Sequence, residues 1–417
     1  MTGTAGRAAR WLAPLRAGLA EITELDVRRL HRFEETLCGL LAGHPIDAGV
    51  QAGIRSKRLL RIRRDLGSGG YLGLAVPARD GGCGRPAAIQ AVLQFIAGYH
   101  DVDLRDSTGL GHGRLIAAHA CPPVRDRWLP RLLAGDLPGI AITEPHGGSQ
   151  VQRTQTAATP HRDGTWTVTG TKTWISRLAE AAVFCVFFTD PARRLSAGVI
   201  DAAADGLHRS PIPPAGLAGW TWGELRLEEV RLRPRDLLGH PGEGMRLLRE
   251  HFAHYRPLVT ATALGAAAAV CDDVATQLRA RRSAGIIAGL RDNATITLGR
   301  AYMQINAAFL AVLTAQRLSE TGDAAAELWG CAVKAHGVDV ACQAASELAL
   351  LAGAAGFAAG SRIAKARRDL NGLCYADGIH DSLYRAAGRT LTAAAPTVPA
   401  AIPVPRGTWE ENNRIHA

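Results

Sequence analysis

Lysine is scarce in this 417-residue chain, and arginine carries nearly all of its positive charge. The imbalance is of the kind a GC-rich genome imposes and excludes no function by itself. Paired cysteine motifs are missing. Cys38, Cys83, Cys121, Cys185, Cys271, Cys331, Cys342 and Cys374 are scattered and form no C-x-x-C, which argues against a zinc site or a disulfide framework. No stretch reaches the ~18 uninterrupted apolar residues of a membrane span, so no membrane is expected. Helix-turn-helix, zinc-finger and aromatic-basic patterns are absent, so nucleic acid is not an expected partner. No nucleophile arrangement or metal spacing frames His100, His112, His146 or His380, so no metal is expected. Internal repeats are also lacking.

Hydrophobic residues make up 47% of the chain and charged residues 21%, the balance of an ordinary globular protein. Its length allows a large core in two or three subdomains. A formal charge of +10 favours anionic partners, although Arg-rich solvated helix faces account for it equally well. The start, MTGTAGRAARWLAPLRAGLAEI, reads as an amphipathic helix rather than a signal peptide, and a cytoplasmic protein is expected.

Residues 1–138 read as a helical domain, with apolar residues at three- and four-residue spacing in LDVRRLHRFEETLCGLLAG and AAIQAVLQFIAG. Residues 139–244 change to strand patterning. WTVTGTKTWIS alternates, VFCVFF is a short continuous run, and SAGVIDA and ELRLEEVRL continue the series, so a small β-barrel or sandwich is expected. Residues 245–392 return to long helices and read as a four-helix bundle. Pro257 is placed early in the first of them, where proline is tolerated. The Ala-, Pro- and Thr-rich stretch 393–417 reads as a disordered tail. The fold class is therefore α+β: a helical domain, a β domain and a helical bundle.

The segment Gly356–Arg389 contains Gly356-Phe357, Arg368-Asp369, Asp377-Gly378 and Arg389. This series resembles, without a gap, the C-terminal signature of the acyl-CoA dehydrogenase family, in which a Glu-Gly pair supplies the base that removes the α-proton of an acyl thioester. Here Asp377 stands for that Glu, Ala376 for the preceding Tyr and Ile379 for a Thr. Leu350, Gly353 and Ala354 stand where the family has Gln-x-x-Gly-Gly. In the middle of the chain, Ala141-Ile142-Thr143-Glu144-Pro145-His146-Gly147-Gly148-Ser149 resembles the family's flavin loop. Lys172-Thr173-Trp174-Ile175-Ser176 resembles its Lys-x-Trp-Ile-Thr.

The resemblance spans residues 20–392. It implies FAD as cofactor and Asp377 as base, with Arg256 beneath the catalytic pocket. Ile142, Thr143, Gly148, Ser149, Trp174 and Ser176 would hold the flavin. Arg281, which matches an Arg that reaches a neighbouring subunit's FAD, would join them, as would Gly353, Gly378, Ile379 and Asp381. Ser149, Arg256 and Gly378 would also meet the substrate, an acyl thioester on an acyl carrier protein or CoA. Ala253 replaces an Asp that contacts pantetheine, and Ala284 and Asp292 replace residues of the intersubunit adenine site. Divergent relatives of this kind serve secondary metabolism and act on carrier-bound groups, and the family forms homodimers or homotetramers. Two other readings remain open at this point: a flavin monooxygenase of the same fold, and a silent acyl-binding subunit.

Overall fold

The computed structural model describes residues 6–13, 15, 22–47, 49–148 and 150–392. The expected tail, 393–417, lies outside the described residues, as does Ser149. The first helices are α1 (Arg7–Leu12), α2 (Glu24–Gly43), α3 (Ala52–Ser68), α4 (Ala87–His100), α5 (Arg114–His119) and α6 (Pro122–Leu133). Local chemistry sets their ends. Thr23 and Asp26 form a capping box that starts α2, and Pro122 and Pro123 occupy the first turn of α6, where no N–H is needed.

A seven-stranded sheet follows: β1 (Leu137–Ala141), β2 (Ala157–Pro160), β3 (Trp166–Ser176), β4 (Ala181–Thr189), β5 (Leu195–Asp201), β6 (Leu207–Pro211) and β7 (Trp222–Leu232). β4, which contains the continuous apolar run, lies buried between parallel β1 and antiparallel β5. β2, β3, β7 and β6 form an antiparallel ladder, joined to β4 at Ala157 and Thr189.

Helices α7 (Gly244–Ser283), α8 (Asp292–Thr321) and α9 (Ala326–Ala352) return the chain to helix, followed by α10 (Arg362–Leu373) and α11 (His380–Thr392). The fourth member of the expected bundle, the helix after Asp377, is α11; α10 comes before it as a further helix, and Asp377 lies in the turn between the two. Pro257 is not in a first turn. α7 begins at Gly244, so the proline falls in its interior, where it removes one backbone donor. The carbonyl it leaves without a helical donor is that of Ala253; the neighbouring His254 carbonyl accepts from the Gln316 amide at 2.7 Å.

The N-terminal and C-terminal helices share one apolar core. α4 and α7 approach at glycines: a Cβ on Gly98 would lie 2.1 Å from the Thr262 carbonyl, and one on Gly265 would lie 2.1 Å from that of Phe95. α7, α8 and α9 are each long and apolar enough in composition to cross a membrane, which a search for uninterrupted apolar runs does not register. In α7, 83% of the apolar window is buried inside the fold, against 33% in α8.

Candidate functional site

The turn between α10 and α11 carries Asp377 in left-handed backbone, φ 57°, followed by Gly378 at φ 114°. Two consecutive carbonyls of this turn are held by cations. Arg256 Nε donates to the Asp377 carbonyl at 2.9 Å, and Lys334 Nζ donates to the Gly378 carbonyl at 2.6 Å. Arg256 is itself fixed by Cys331 Sγ at 3.1 Å and by the Phe252 ring, 4.7 Å below its guanidinium. A side chain at Gly378 would lie 2.9 Å from Leu383 Cδ2 and 3.3 Å from Arg256, so the turn closes only on glycine.

Burial pushes the Asp377 carboxyl above its ordinary value. The positive charges of Lys334, Arg177, Arg256 and Arg105 act against that shift. Lys334, fully buried in α9, is pushed down to about 8 by burial and held up by Asp377. Arg177 follows Ser176 directly, at φ 59°, and donates to Asp106 at 2.6 Å. Arg105 lies 3.6 Å from Asp103 and 3.7 Å from Asp106, against the face of Trp222. On the same side, Tyr255 packs on the rings of His112 and His251, whose facing nitrogens are 3.0 Å apart. Burial holds both imidazoles well below the usual histidine range, His251 at about 3, so the pair is neutral.

Sequence reasoning missed Lys334, Arg105 and Arg177. The available signal was scarcity. The chain has four lysines, Lys57, Lys172, Lys334 and Lys365, and all but Lys57 are buried.

The second half of the site lies along β3. Lys172 Nζ donates to Glu144 at 2.8 Å and to the Ile142 carbonyl at 3.1 Å, and Glu144 also accepts from the backbone of Gln155 and Thr156 at 2.7 and 2.9 Å. Burial would raise the Glu144 carboxyl, but these donors bring it down to about 2. The clamp fixes the segment from Ile142 to Gly148 against β3, and the Thr173 N–H bonds the Thr143 carbonyl at 2.8 Å. A Cβ on Gly148 would lie 2.9 Å from Thr143 Oγ1, so this glycine permits the loop to fold on itself.

Trp174 breaks the β3–β7 ladder, at φ 57° and 54% exposed. A large aromatic residue in that conformation is a strained outlier of the kind that marks a functional surface. Ser176 is half-buried at the end of β3, paired with Trp222. Ile142 and Thr143 are therefore bonded to β3 at Lys172 and Thr173, Trp174 and Ser176 follow on the same strand, and Arg177, directly after it, faces Asp377.

Other candidates lie apart. Arg281 Nη2 donates to the Ala352 carbonyl at 3.0 Å, beside Gly353, whose φ 64° and ψ −147° only glycine adopts readily. Ile379 and Asp381 are exposed, at the start of α11. Asp369 is structural. It accepts the Leu217 N–H at 2.7 Å and, with Asp101 and Asp103, surrounds Lys365 Nζ at 2.6, 2.6 and 3.0 Å. That trio is the one acidic group of metal-ligand spacing among the described residues, and the Lys365 ammonium fills it.

The chain matches the family models for the acyl-CoA dehydrogenase middle domain over residues 139–230 and C-terminal domain over residues 242–391. A glutaryl-CoA dehydrogenase from Desulfococcus multivorans is 30% identical over 233 residues, which span 53% of this chain and 60% of that protein. A solved glutaryl-CoA dehydrogenase from Mycobacterium smegmatis, in complex with FADH2, has a TM-score of 0.76 at 19% identity, covering 91% of this chain and 99% of that one. The prolyl acyl carrier protein oxidase AnaB has a TM-score of 0.72 at 18% identity, covering 82% and 99%. At such identities these two likenesses show the fold.

Proposed function

Because the chain belongs to the acyl-CoA dehydrogenase family, whose cofactor is FAD, we propose that it oxidises an acyl thioester, with Asp377 as the base that removes the α-proton. The observation that carries the reading is the Asp377 turn, held by Arg256 and Lys334 at successive carbonyls and facing four cations.

The residues present fit FAD. The Ile142–Gly148 loop is bonded to β3 next to the exposed Trp174, and Arg177, directly after β3, faces Asp377. Ile142, Thr143, Gly148, Trp174 and Ser176 would hold the ring system, and Ser149 would join them. Arg281 and Gly353, on a separate face, would serve the cofactor of a second copy. Bound FAD supplies the acceptor for the hydride from the β-carbon.

The chain's own groups do the rest. Asp377 takes the α-proton. The backbone N–H of Gly378 or Ile379, fixed by the glycine turn, is placed to donate to the thioester carbonyl as negative charge gathers there. Tyr255 and the neutral His112–His251 pair pack together beside Arg177 and Asp106 without adding charge.

The acyl group is carried by a carrier protein rather than by free CoA. Three observations support this. Ala253 offers no polar contact to pantetheine, the net charge is +10, and the fold matches a prolyl acyl carrier protein oxidase. Such a reaction suits secondary metabolism. The test presents glutaryl and prolyl groups on CoA and on carrier proteins to the holoprotein, at low and high salt, and follows anaerobic flavin bleaching. Faster bleaching with the carrier, slowed by salt, is expected. Equal, salt-independent rates would end the carrier assignment, and no bleaching with any donor would overturn the oxidation itself.

A further inference from the structure

Lys334 is fully buried in α9, yet it has no ion-pair partner among the described residues. The other two buried lysines differ. Lys172 meets Glu144, and Lys365 meets three aspartates. An ammonium buried against a neutral carbonyl is costly and persists where its charge is used. The groups around it come from every packed element. Asp377 and Cys374 lie on the turn, Arg256 on α7, and Asp339 on its own helix. Lys334 also bears on Cys342 on α9 and on His380 at the start of α11. Asp377 in turn faces Arg177 from the end of β3, Arg105 from the segment after α4, and Tyr255 from α7. Lys334 is thus the fully buried cation that both touches the turn and bears on its carboxylate, and the compact ammonium reaches the Gly378 carbonyl where a planar guanidinium fork would need more room.

We propose that Lys334 is a positioning residue for this reaction: it fixes the Gly378 carbonyl, and with it the direction of the Asp377 carboxylate, and supplies the charge against which that carboxylate ionises. The proposal rests on Asp377 being the base. Lys334 is fully buried with its ammonium on the Gly378 carbonyl, so its loss should lower kcat and leave KM nearly unchanged. Removing a facing positive charge makes the carboxylate harder to ionise, so the acid limb of the rate profile should move to higher pH.

The test uses the FAD-loaded protein in four forms: wild type, Asp377→Asn, Lys334→Met and the double variant. Thermal unfolding is followed from pH 3 to pH 9. On each background at position 334, the difference made by Asp377→Asn reads the titration of Asp377 without any substrate. That titration should sit about one pH unit higher with Lys334→Met. Anaerobic flavin reduction, with whichever of glutaryl-CoA or a prolyl carrier protein bleaches wild type, should slow about 100-fold with the acid limb displaced the same way.

Lys334→Gln keeps a donor for the Gly378 carbonyl and removes the charge. It should retain most of the rate while keeping the displaced acid limb, and it carries the test if Lys334→Met does not fold. An unmoved Asp377 titration overturns the proposal. Failure of wild type to bleach with any donor overturns the proposed reaction instead, and the unfolding comparison still decides Lys334.

Discussion

Asp377, the proposed base, is one methylene shorter than the glutamate that the resemblance implies at this place, and its backbone supplies a reason for the shorter side chain. At φ 57° the residue sits in left-handed backbone, which Asp and Asn tolerate better than other side chains with a Cβ. Burial raises its carboxyl above the ordinary value near 3.8. Between that value and the raised one, the native chain holds a proton that the unfolded chain has released, so stability falls as pH rises through this window and stays lower at neutral pH. Asp377→Asn keeps the turn and removes the charge. It should slow flavin reduction about 10²–10⁴-fold, retain FAD, and raise the melting temperature at pH 7 but not at pH 3. Undiminished bleaching would place the base elsewhere.

At the scale of elements, the loop and strand proposed to hold the flavin are joined by a buried ion pair. Glu144 and Lys172 join the Ile142–Gly148 loop to β3, and the donors around Glu144 hold its carboxyl at about 2 against an ordinary 4.5. A depressed carboxylate stabilises the native state above its unfolded value, and the gain is lost as pH falls towards the native one. Glu144→Gln leaves Lys172 buried without its partner, so it should cost on the order of 3 kcal/mol at pH 7. The gap from wild type should narrow between pH 4.5 and pH 2. Trp174 is carried on the same clamp, so FAD affinity should fall as well. Urea unfolding across pH and a flavin titration check both; a gap that does not change with pH would remove the ion pair as its cause.

At the scale of the molecule, α8 is covered on one side only. Met303 is 65% exposed, and Ile296 and Leu310 share that exposure. Leu350 and Phe357, 81% and 85% exposed, flank Gly353 and the Arg281–Ala352 bond. Apolar area of this kind marks a protein interface, and a second copy of this chain as occupant gives Arg281 its role. The wild type should run as a dimer or tetramer in light scattering. Met303→Glu with Leu310→Glu should shift it towards monomer, and Arg281→Ala should weaken FAD only in the assembled form. A monomeric wild type that binds FAD fully would reject this arrangement.

The sequence by itself determined the order helix, sheet, helix, and it carried the local motifs that resemble a flavin loop and its base, because periodicity and local motifs are short-range properties that survive without a fold. Thr143, Trp174, Arg256 and Asp377 were legible for that reason. Tertiary structure alone decided which groups face them. Lys334 lies 43 positions before Asp377, and Arg105 and Arg177 come from the other two parts of the chain. Nothing in local spacing relates these residues; only the closing of α9, the end of β3 and the segment after α4 around one turn brings their charges onto one carboxylate. The interior place of Pro257 was hidden likewise, since α7 starts in a stretch where Leu247 and Leu248 pack on the core of β4 and β5, a contact that local propensity does not register.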